Sequence, residues 1–394
     1  MSEYYQGYKI RIYPNKVQEE IIWNHINGCR FWWNHLLELN INRYKNGEKR
    51  LREFDMNNLI SNARLTFEWL ENVCYDSLSA VSRMLNNAYE RFFNKTAGHP
   101  KFHSKKYGDL TYPVRDNRFY IIDDTYMQIP GLGRVKYRPG NYNIPFETRT
   151  RQLCKKCSVR IHYSQCNNKW TIGFTVKRES QALPLNDYTM GIDLGLNKLA
   201  TVKTEKSTLI IKNINKSKRM KNAVKRRKRD QRRTARKQRN MYEHINSIGK
   251  TVYEPSKNWI KSMNKVRKDY AYEANIRNDY IHKYTTKLAN MYPSQIVMET
   301  IKVSHLIRNR NIADTILNAC WFKFTNILRY KSERRGIDFR QVPRNYPSSK
   351  TCSNCGTLHS KLRMTKDRLF VCPNCGYTVD RDINAATNLM NYFK

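Results

Sequence analysis

Two kinds of side chain in this sequence stand at spacings that can do chemistry. Cys352-Ser-Asn-Cys355 is followed, after 16 intervening residues, by Cys372-Pro-Asn-Cys375. Each pair is followed by glycine, Gly356 and Gly376, which permits the tight knuckle in which two thiolates of one turn share a tetrahedral ion. Four thiolates fill the coordination sphere of Zn2+ and leave no position for water, so the expected ion is structural. Cys154-Lys-Lys-Cys157 lacks a second pair and has only Cys166 near it, so no metal is assigned there. The second constellation is acidic. Asp193 lies in Gly191-Ile-Asp-Leu-Gly195, Glu299 ends Ile296-Val-Met-Glu299, and Asp382 sits in Asp380-Arg-Asp-Ile-Asn-Ala-Ala386. A carboxylate in or at the end of an apolar strand is costly unless paired or ligated. A salt bridge could account for any one of them in so basic a chain. Together, three carboxylates are the oxygen ligands that two hard divalent cations need to clamp the attacking water and the leaving oxygen of a phosphodiester.

The elements that must position these residues follow from pattern. Tyr8-Lys-Ile-Arg-Ile-Tyr13, ended by Pro14, reads as a strand, and Val17–Tyr44 as a helix with Val17, Ile21, Ile22, Ile26, Cys29, Trp33, Leu36 and Leu37 on its core stripe. A second helical region spans Met56–Phe93, with Asp76 and Ser77 as candidate N-caps. Short strands are expected at Phe119–Ile122, Met127–Ile129, Arg134–Arg138, Ser158–Ser164 and Lys169–Val176, suggesting a small barrel that the opening strand joins and the helices interrupt. After a linker at Leu183–Asp187, the strand carrying Asp193 is followed by Leu199–Val202 and Leu209–Ile211, as at the start of an RNase H-like sheet. Lys216–Arg239 is almost continuously basic, and a long helix continues through Trp259 to Met291 with Tyr280, Tyr284 and Leu288 on one face. Ser294–Glu299 is a strand and Ile312–Tyr330 a helix.

Composition bounds the partner. The 394 residues carry 73 Lys+Arg against 33 Asp+Glu, a formal net charge of +40, so polyanions are the natural ligands and many phosphates must be neutralised together. Hydrophobic residues are 40% of the chain, with 26 Tyr, 14 Phe and 7 Trp, which is enough for several packed cores and excludes disorder as the default. Some aromatics are expected to stack on bases. The N-terminus has no secretory pattern and no apolar run is long enough to span a bilayer, so the expectation is a cytoplasmic, nucleoid-associated prokaryotic protein. The basic run holds 14 Lys/Arg in 24 positions and is expected to follow a phosphate backbone, with Lys225, Arg226, Arg229 and Arg233 giving affinity without sequence reading.

The order of the parts carries a resemblance. A first Asp on an opening strand, a long basic insertion, a Glu on a later strand, paired cysteines and then Asp-x-Asn-Ala-Ala is similar to the TnpB family, transposon-encoded OrfB proteins related to the type V CRISPR effectors. Tyr8-Lys-Ile-Arg-Ile-Tyr-Pro14, Cys29-Arg-Phe-Trp-Trp-Asn34, Gly98-His-Pro-Lys-Phe-His-Ser-Lys-Lys106 and Tyr346-Pro-Ser-Ser-Lys-Thr-Cys352 extend it over nearly the whole chain. The resemblance implies a RuvC-type nuclease in which Asp193, Glu299 and Asp382 hold Mg2+. It also implies a guide RNA that pairs with target double-stranded DNA beside a short motif read by the protein. Within the last motif Asp382 occupies the Asp of Asp-x-Asn-x-Ala, and Asp380 is left for a salt bridge.

The expected fold is α/β: an RNase H-like (RuvC) domain with an inserted zinc ribbon, preceded by an N-terminal β-barrel interrupted by a helical recognition insertion. The expected divisions are residues 1–16 (first barrel strand), 17–95 (helical insertion), 96–182 (rest of the barrel), 183–345 (nuclease domain with its basic insertion), 346–379 (zinc ribbon) and 380–394 (final nuclease segment). Three other readings compete. A small type V CRISPR effector would take its guide from an array, a zinc-ribbon regulator would bind without cutting, and a junction resolvase gives no reason for so large a positive surface.

Overall fold

The computed structural model describes residues 3–104, 110–114, 119–138, 159–165, 167–179, 184–238, 242–245, 251–301, 303–359 and 368–393. The Cys154–Cys157 pair, Cys166, Lys105, Lys106, Ser158, Leu183 and Arg239 lie outside the described residues. Two compact units form, one from Tyr5 to Arg178 and one from Glu179 to Lys394 together with the first four residues. No helix among the described residues is long and apolar enough to cross a membrane.

The first unit is a seven-stranded sheet with helices inserted after its first strand. β1 (Glu3–Tyr13) leads into α1 (Lys16–Lys45), α2 (Glu53–Thr66) and α3 (Tyr75–Phe93), and the chain then returns through β2 (Thr111–Val114), β3 (Tyr120–Ile121), β4 (Tyr126–Ile129), β5 (Gly133–Arg138), β6 (Val159–Ser164) and β7 (Lys169–Glu179). The strand order is β2-β6-β7-β1-β5-β4-β3, with β2 and β3 at its two ends. Strand alternation sets the core: Tyr8, Ile10 and Ile12 of β1 and Trp170, Ile172, Phe174 and Val176 of β7 are all buried. Asn15 opens α1 with a reciprocal capping box to Gln18. The α1 stripe is shifted from the sequence expectation, since Val17 is exposed and Trp32, absent from that stripe, is fully buried and bonds Ser82. Asp76 and Ser77 do not cap α3. Cys74 is the cap residue, Asp76 stands in the first turn, and Ser77 is buried and donates to the Pro113 carbonyl.

The second unit is built on a mixed five-stranded sheet. β8 (Asn186–Leu194), β9 (Lys198–Lys203) and β10 (Thr208–Lys212) run antiparallel, while β13 (Pro293–Met298) and β14 (Asp338–Gln341) extend the sheet in parallel beside β8. The order is β10-β9-β8-β13-β14. Between β10 and β13 the chain forms α4 (Lys218–Gln238), a hairpin of β11 (Tyr242–Ile245) and β12 (Thr251–Glu254), and α5 (Lys257–Ala289). The basic run and the Trp259–Met291 segment are therefore two helices, not one continuing helix. They run antiparallel, and α5 supplies acids to a helix whose one acid is Asp230: Arg226 meets Asp269 at 2.7 Å and Arg227 meets Glu273 at 2.7 Å. After α6 (Val303–Leu306), the expected Ile312–Tyr330 helix is likewise broken, into α7 (Arg310–Ala319) and α8 (Trp321–Glu333). Cys320 between them is left-handed at φ 57°, and the break turns Trp321 and Phe324 into the core. β15 (Leu369–Val371), β16 (Thr378–Asp380) and α9 (Arg381–Asn391) complete the unit.

Candidate active site and metal centre

Helix α9 lies against β8 and β9, and the residues that allow this are small. Ala385 and Ala386 of α9 are fully buried, and Gly191 of β8 presents no side chain where a Cβ would stand 2.1 Å from the Ala386 carbonyl. Two asparagines of α9 tie it to the chain entering the cysteine turns. Asn384 donates to the Thr351 carbonyl at 2.7 Å and accepts from Ser353 N–H at 2.9 Å, and Asn388 donates to the Ser348 carbonyl at 2.8 Å.

This seating gathers the carboxylates. Asp193 is the penultimate residue of β8, and Glu299 follows the last residue of β13, whose Met298 is in register with Ile192. Glu299 Oε1 accepts from the Leu194 N–H at 3.2 Å. Asp382 stands in the first turn of α9 and is buried. Burial, and then the charges of Glu299 and Asp382, push Asp193 well above the usual carboxylate range against the opposing Arg381. Burial raises Glu299 as well, opposed by the Leu194 N–H. Thr201, cross-strand from Asp193, carries a buried hydroxyl without a hydrogen-bond partner. A site with crowded buried carboxylates and an orphaned hydroxyl fits hard divalent cations bound through oxygen.

Three cations surround Asp382: Arg368 at 3.2 Å, Arg381 at 3.4 Å and Lys198 at 3.6 Å. Arg381 adjoins Asp382 in the motif, so its proximity is legible in the sequence, whereas Lys198 and Arg368 arrive only through folding. Asp380 does different work. Its carboxylate caps α9, accepting from the N–H groups of Asp382 (2.9 Å) and Ile383 (3.3 Å), and pairs with Lys198 at 2.8 Å. Burial opposes its ionisation, but Lys198 and those N–H groups hold it below the ordinary value.

The four sulfurs of Cys352, Cys355, Cys372 and Cys375 all lie within 4.8 Å of one another. Among the described residues this is the one group of His, Cys, Asp and Glu ligand atoms drawn together so tightly; the charges of Glu299 and Asp382 both act on Asp193, but the three carboxylates do not close into such a group. Two equivalent turns build it, with Gly356 N–H bonding the Cys352 carbonyl and Gly376 N–H the Cys372 carbonyl, each at 2.9 Å. Both glycines are left-handed, φ 74° and 71°, a conformation that closes the turn at little cost only for glycine. Hydrogen bonding with Thr357 holds the Cys355 thiol down at about 5, whereas burial raises Cys372 to about 11. All-thiolate donors of this compactness suit Zn2+.

The four basic residues singled out on α4 divide into two kinds. Lys225 and Arg229 are exposed. Arg226 spends its guanidinium on Asp269, and Arg233 lies 3.9 Å from Asp230, the buried acid of the run, which Lys265 also approaches at 3.4 Å.

Compared with known proteins, the fold is that of a Cas12f1-type α/β protein with a cysteine ribbon. The chain superposes on the Cas12f1 of a Cas12f1–sgRNA–target DNA complex with a TM-score of 0.57 over 99% of both chains, at 14% identity. Three family models match in succession: the OrfB helix-turn-helix domain over residues 1–49, the OrfB probable transposase over 173–310, and the Cas12f1-like TNB domain over 321–389. In this chain the first of these spans β1 and the single long helix α1. The chain is 26% identical over 407 residues to the putative RNA-guided DNA endonuclease InsQ of Escherichia coli K12, covering 98% of this chain and 91% of that protein. It is 24% identical to a putative RNA-guided DNA endonuclease of Streptomyces pristinaespiralis, covering 99% and 90%. Over these spans the chain is similar to the TnpB (OrfB) family.

Proposed function

We propose that this protein is an RNA-guided DNA endonuclease that hydrolyses phosphodiesters at Asp193, Glu299 and Asp382. The observation that carries the reading is the convergence of these three carboxylates from β8, the end of β13 and α9, with Asp193 and Asp382 buried and with Asp193 and Glu299 both held above their ordinary range. The sheet order, three antiparallel strands followed by two parallel ones, supports an RNase H-like (RuvC) assignment, and the strands around β1 support a wedge-like barrel. Asp193, Glu299 and Asp382 would hold Mg2+, which when bound supplies activation of water and charge stabilisation at the departing 3′ oxygen. Cys352, Cys355, Cys372 and Cys375 would hold a structural Zn2+.

The protein's own residues prepare the site. Glu299 is oriented by the Leu194 N–H, Asp380 fixes the first turn of α9, and Lys198, Arg368 and Arg381 pair with the Asp382 carboxylate and hold it in place. Affinity for the guide and its heteroduplex comes from the positive surface, including Lys225 and Arg229, while pairing reads sequence and the protein reads a short flanking motif. The Cas12f1 fold also favours a second reading, a small type V effector with an array-derived guide, which shares this chemistry. Sequencing the RNA that copurifies at moderate salt, then offering DNA complementary to it, tests the proposal and separates the two guide sources. Discrete RNA and Mg2+-dependent cutting of matched DNA are expected; RNA-free protein that cuts equally well without a guide overturns it.

A further inference from the structure

The two cysteine turns are related by an internal repeat, which makes one departure from it, at a residue that touches a cysteine sulfur, informative. Cys352-Ser-Asn-Cys355-Gly356 and Cys372-Pro-Asn-Cys375-Gly376 share their turn bonds, and their asparagines reach across to the opposite turn. Asn354 Nδ2 lies 3.7 Å from Cys375 Sγ and Asn374 Nδ2 lies 3.8 Å from Cys355 Sγ. The fourth residue after each turn's second cysteine breaks the match: it is His359 in one turn and Val379 in the other. His359 Nε2 lies 3.2 Å from Cys372 Sγ, shorter than either asparagine contact, whereas Val379 offers only apolar packing against the cluster of Cys352, Phe370 and Cys372.

We propose that His359 belongs to the metal centre as a positioning residue, donating an Nε2–H···S hydrogen bond to the Cys372 thiolate and making the two halves of the ribbon chemically unequal. The proposal rests on the reading that the four cysteines hold zinc. A metal-bound thiolate has no proton to give, so at this separation the imidazole is the donor. His359 is not a fifth ligand, because the set of mutually close ligand atoms closes on the four sulfurs without it. Four thiolates around one divalent ion leave a net charge of −2, and an N–H aimed at one sulfur draws part of that charge away, as donors around metal ligands do. The ring is held for the task. The His359 N–H bonds the Lys350 carbonyl at 3.0 Å, Thr351 and Leu358 form a β-bridge beside it, and Phe370 lies 6.1 Å from the ring, centroid to centroid.

The test uses zinc-loaded full-length protein and two variants, His359→Phe and His359→Gln, with zinc release followed into an excess of chromophoric chelator. Losing such a donor weakens metal binding by about 10–100-fold, so His359→Phe should release zinc at least about tenfold faster. In Co2+-substituted protein its sulfur-to-metal charge-transfer band should move to lower energy. His359→Gln, whose amide can donate, should recover most of both signals. Wild-type release and an unmoved band in His359→Phe overturn the proposal, as does a His359→Gln variant as leaky as His359→Phe, which would assign the effect to packing. Wild-type protein that takes up no stoichiometric zinc would instead refute the metal reading beneath it.

Discussion

Gly191→Ala is the smallest substitution that should dismantle the proposed active site without touching a carboxylate. The new methyl would stand 2.1 Å from the Ala386 carbonyl oxygen, 2.5 Å from Met390 N and 2.8 Å from Met390 Cβ. All three belong to α9, and two are backbone atoms, so no side-chain rotation relieves the clash. Ordinary contact begins near about 3.5 Å, so α9 must retreat from β8 by more than about 1 Å. Overpacking of this kind costs roughly 1–3 kcal/mol, and the upper end applies where the obstacle is helix backbone. Asp382 rides on the first turn of α9 and retreats with it, away from Asp193. A misplacement of about 1 Å at a reacting centre costs on the order of 100-fold in rate. Urea denaturation of the metal-free protein and single-turnover cleavage by the guide-loaded protein measure the two effects, with nucleic-acid binding expected to survive. Gly98→Ala is the control, since nothing lies within 4 Å of its Cβ position. A Gly191→Ala protein within about 0.5 kcal/mol of wild type and cutting at its rate would refute the packing of α9 on β8.

Further expectations follow from individual charges. Asp193→Asn removes a buried charge crowded by Glu299 and Asp382, so it should stabilise the metal-free protein by about 1 kcal/mol while abolishing cleavage; thermal melts in chelator check the sign. Replacing Lys225 and Arg229 together with alanine should leave stability within about 0.5 kcal/mol and lower the salt slope of nucleic-acid binding by about two. Arg226→Ala instead leaves the buried Asp269 without its 2.7 Å partner and should cost about 1–3 kcal/mol in denaturant titrations. Burial, helped by Arg335 and Arg334, lowers Lys331 to about 8. Between that value and about 10.4 the unfolded chain holds a proton that the folded chain lacks, so folding gains stability as pH rises through the window. Compared with Lys331→Met, wild type should therefore gain in denaturation midpoint as pH is raised across that window, and a constant difference would show that Lys331 is not so perturbed.

The carboxylates were legible because each sits in a local pattern that survives folding. Asp193 follows the apolar residues of β8, Glu299 follows an apolar run that forms β13, and Asp382 precedes the Asn-Ala-Ala string whose small and amide side chains seat α9. The cysteine turns were legible for the same reason, since spacing and glycine define a knuckle by themselves. What could not be read depends on the meeting of distant segments. Lys198 and Arg368 become neighbours of Asp382 only through the folded sheet and ribbon, and nothing in their flanks marks them. The acids Asp269 and Glu273, which fold α5 back along α4, lie in an unremarkable stretch of helix. The break at Cys320 has no glycine or proline to announce it, and β2 is a four-residue edge strand containing Pro113, a residue that argues against a strand when read alone.

The most direct test of the central claim compares guide-loaded wild type with Asp193→Ala, Glu299→Ala and Asp382→Ala on one matched DNA in Mg2+, measuring binding and cutting in the same samples. The account predicts that wild type cuts, that all three variants hold the target as tightly as wild type yet cut at background rate, and that Asp380→Ala, which loses a helix cap and the Lys198 pair, retains more activity than Asp382→Ala. Cleavage at the wild-type rate by any of the three carboxylate variants would contradict it and place the nuclease centre elsewhere.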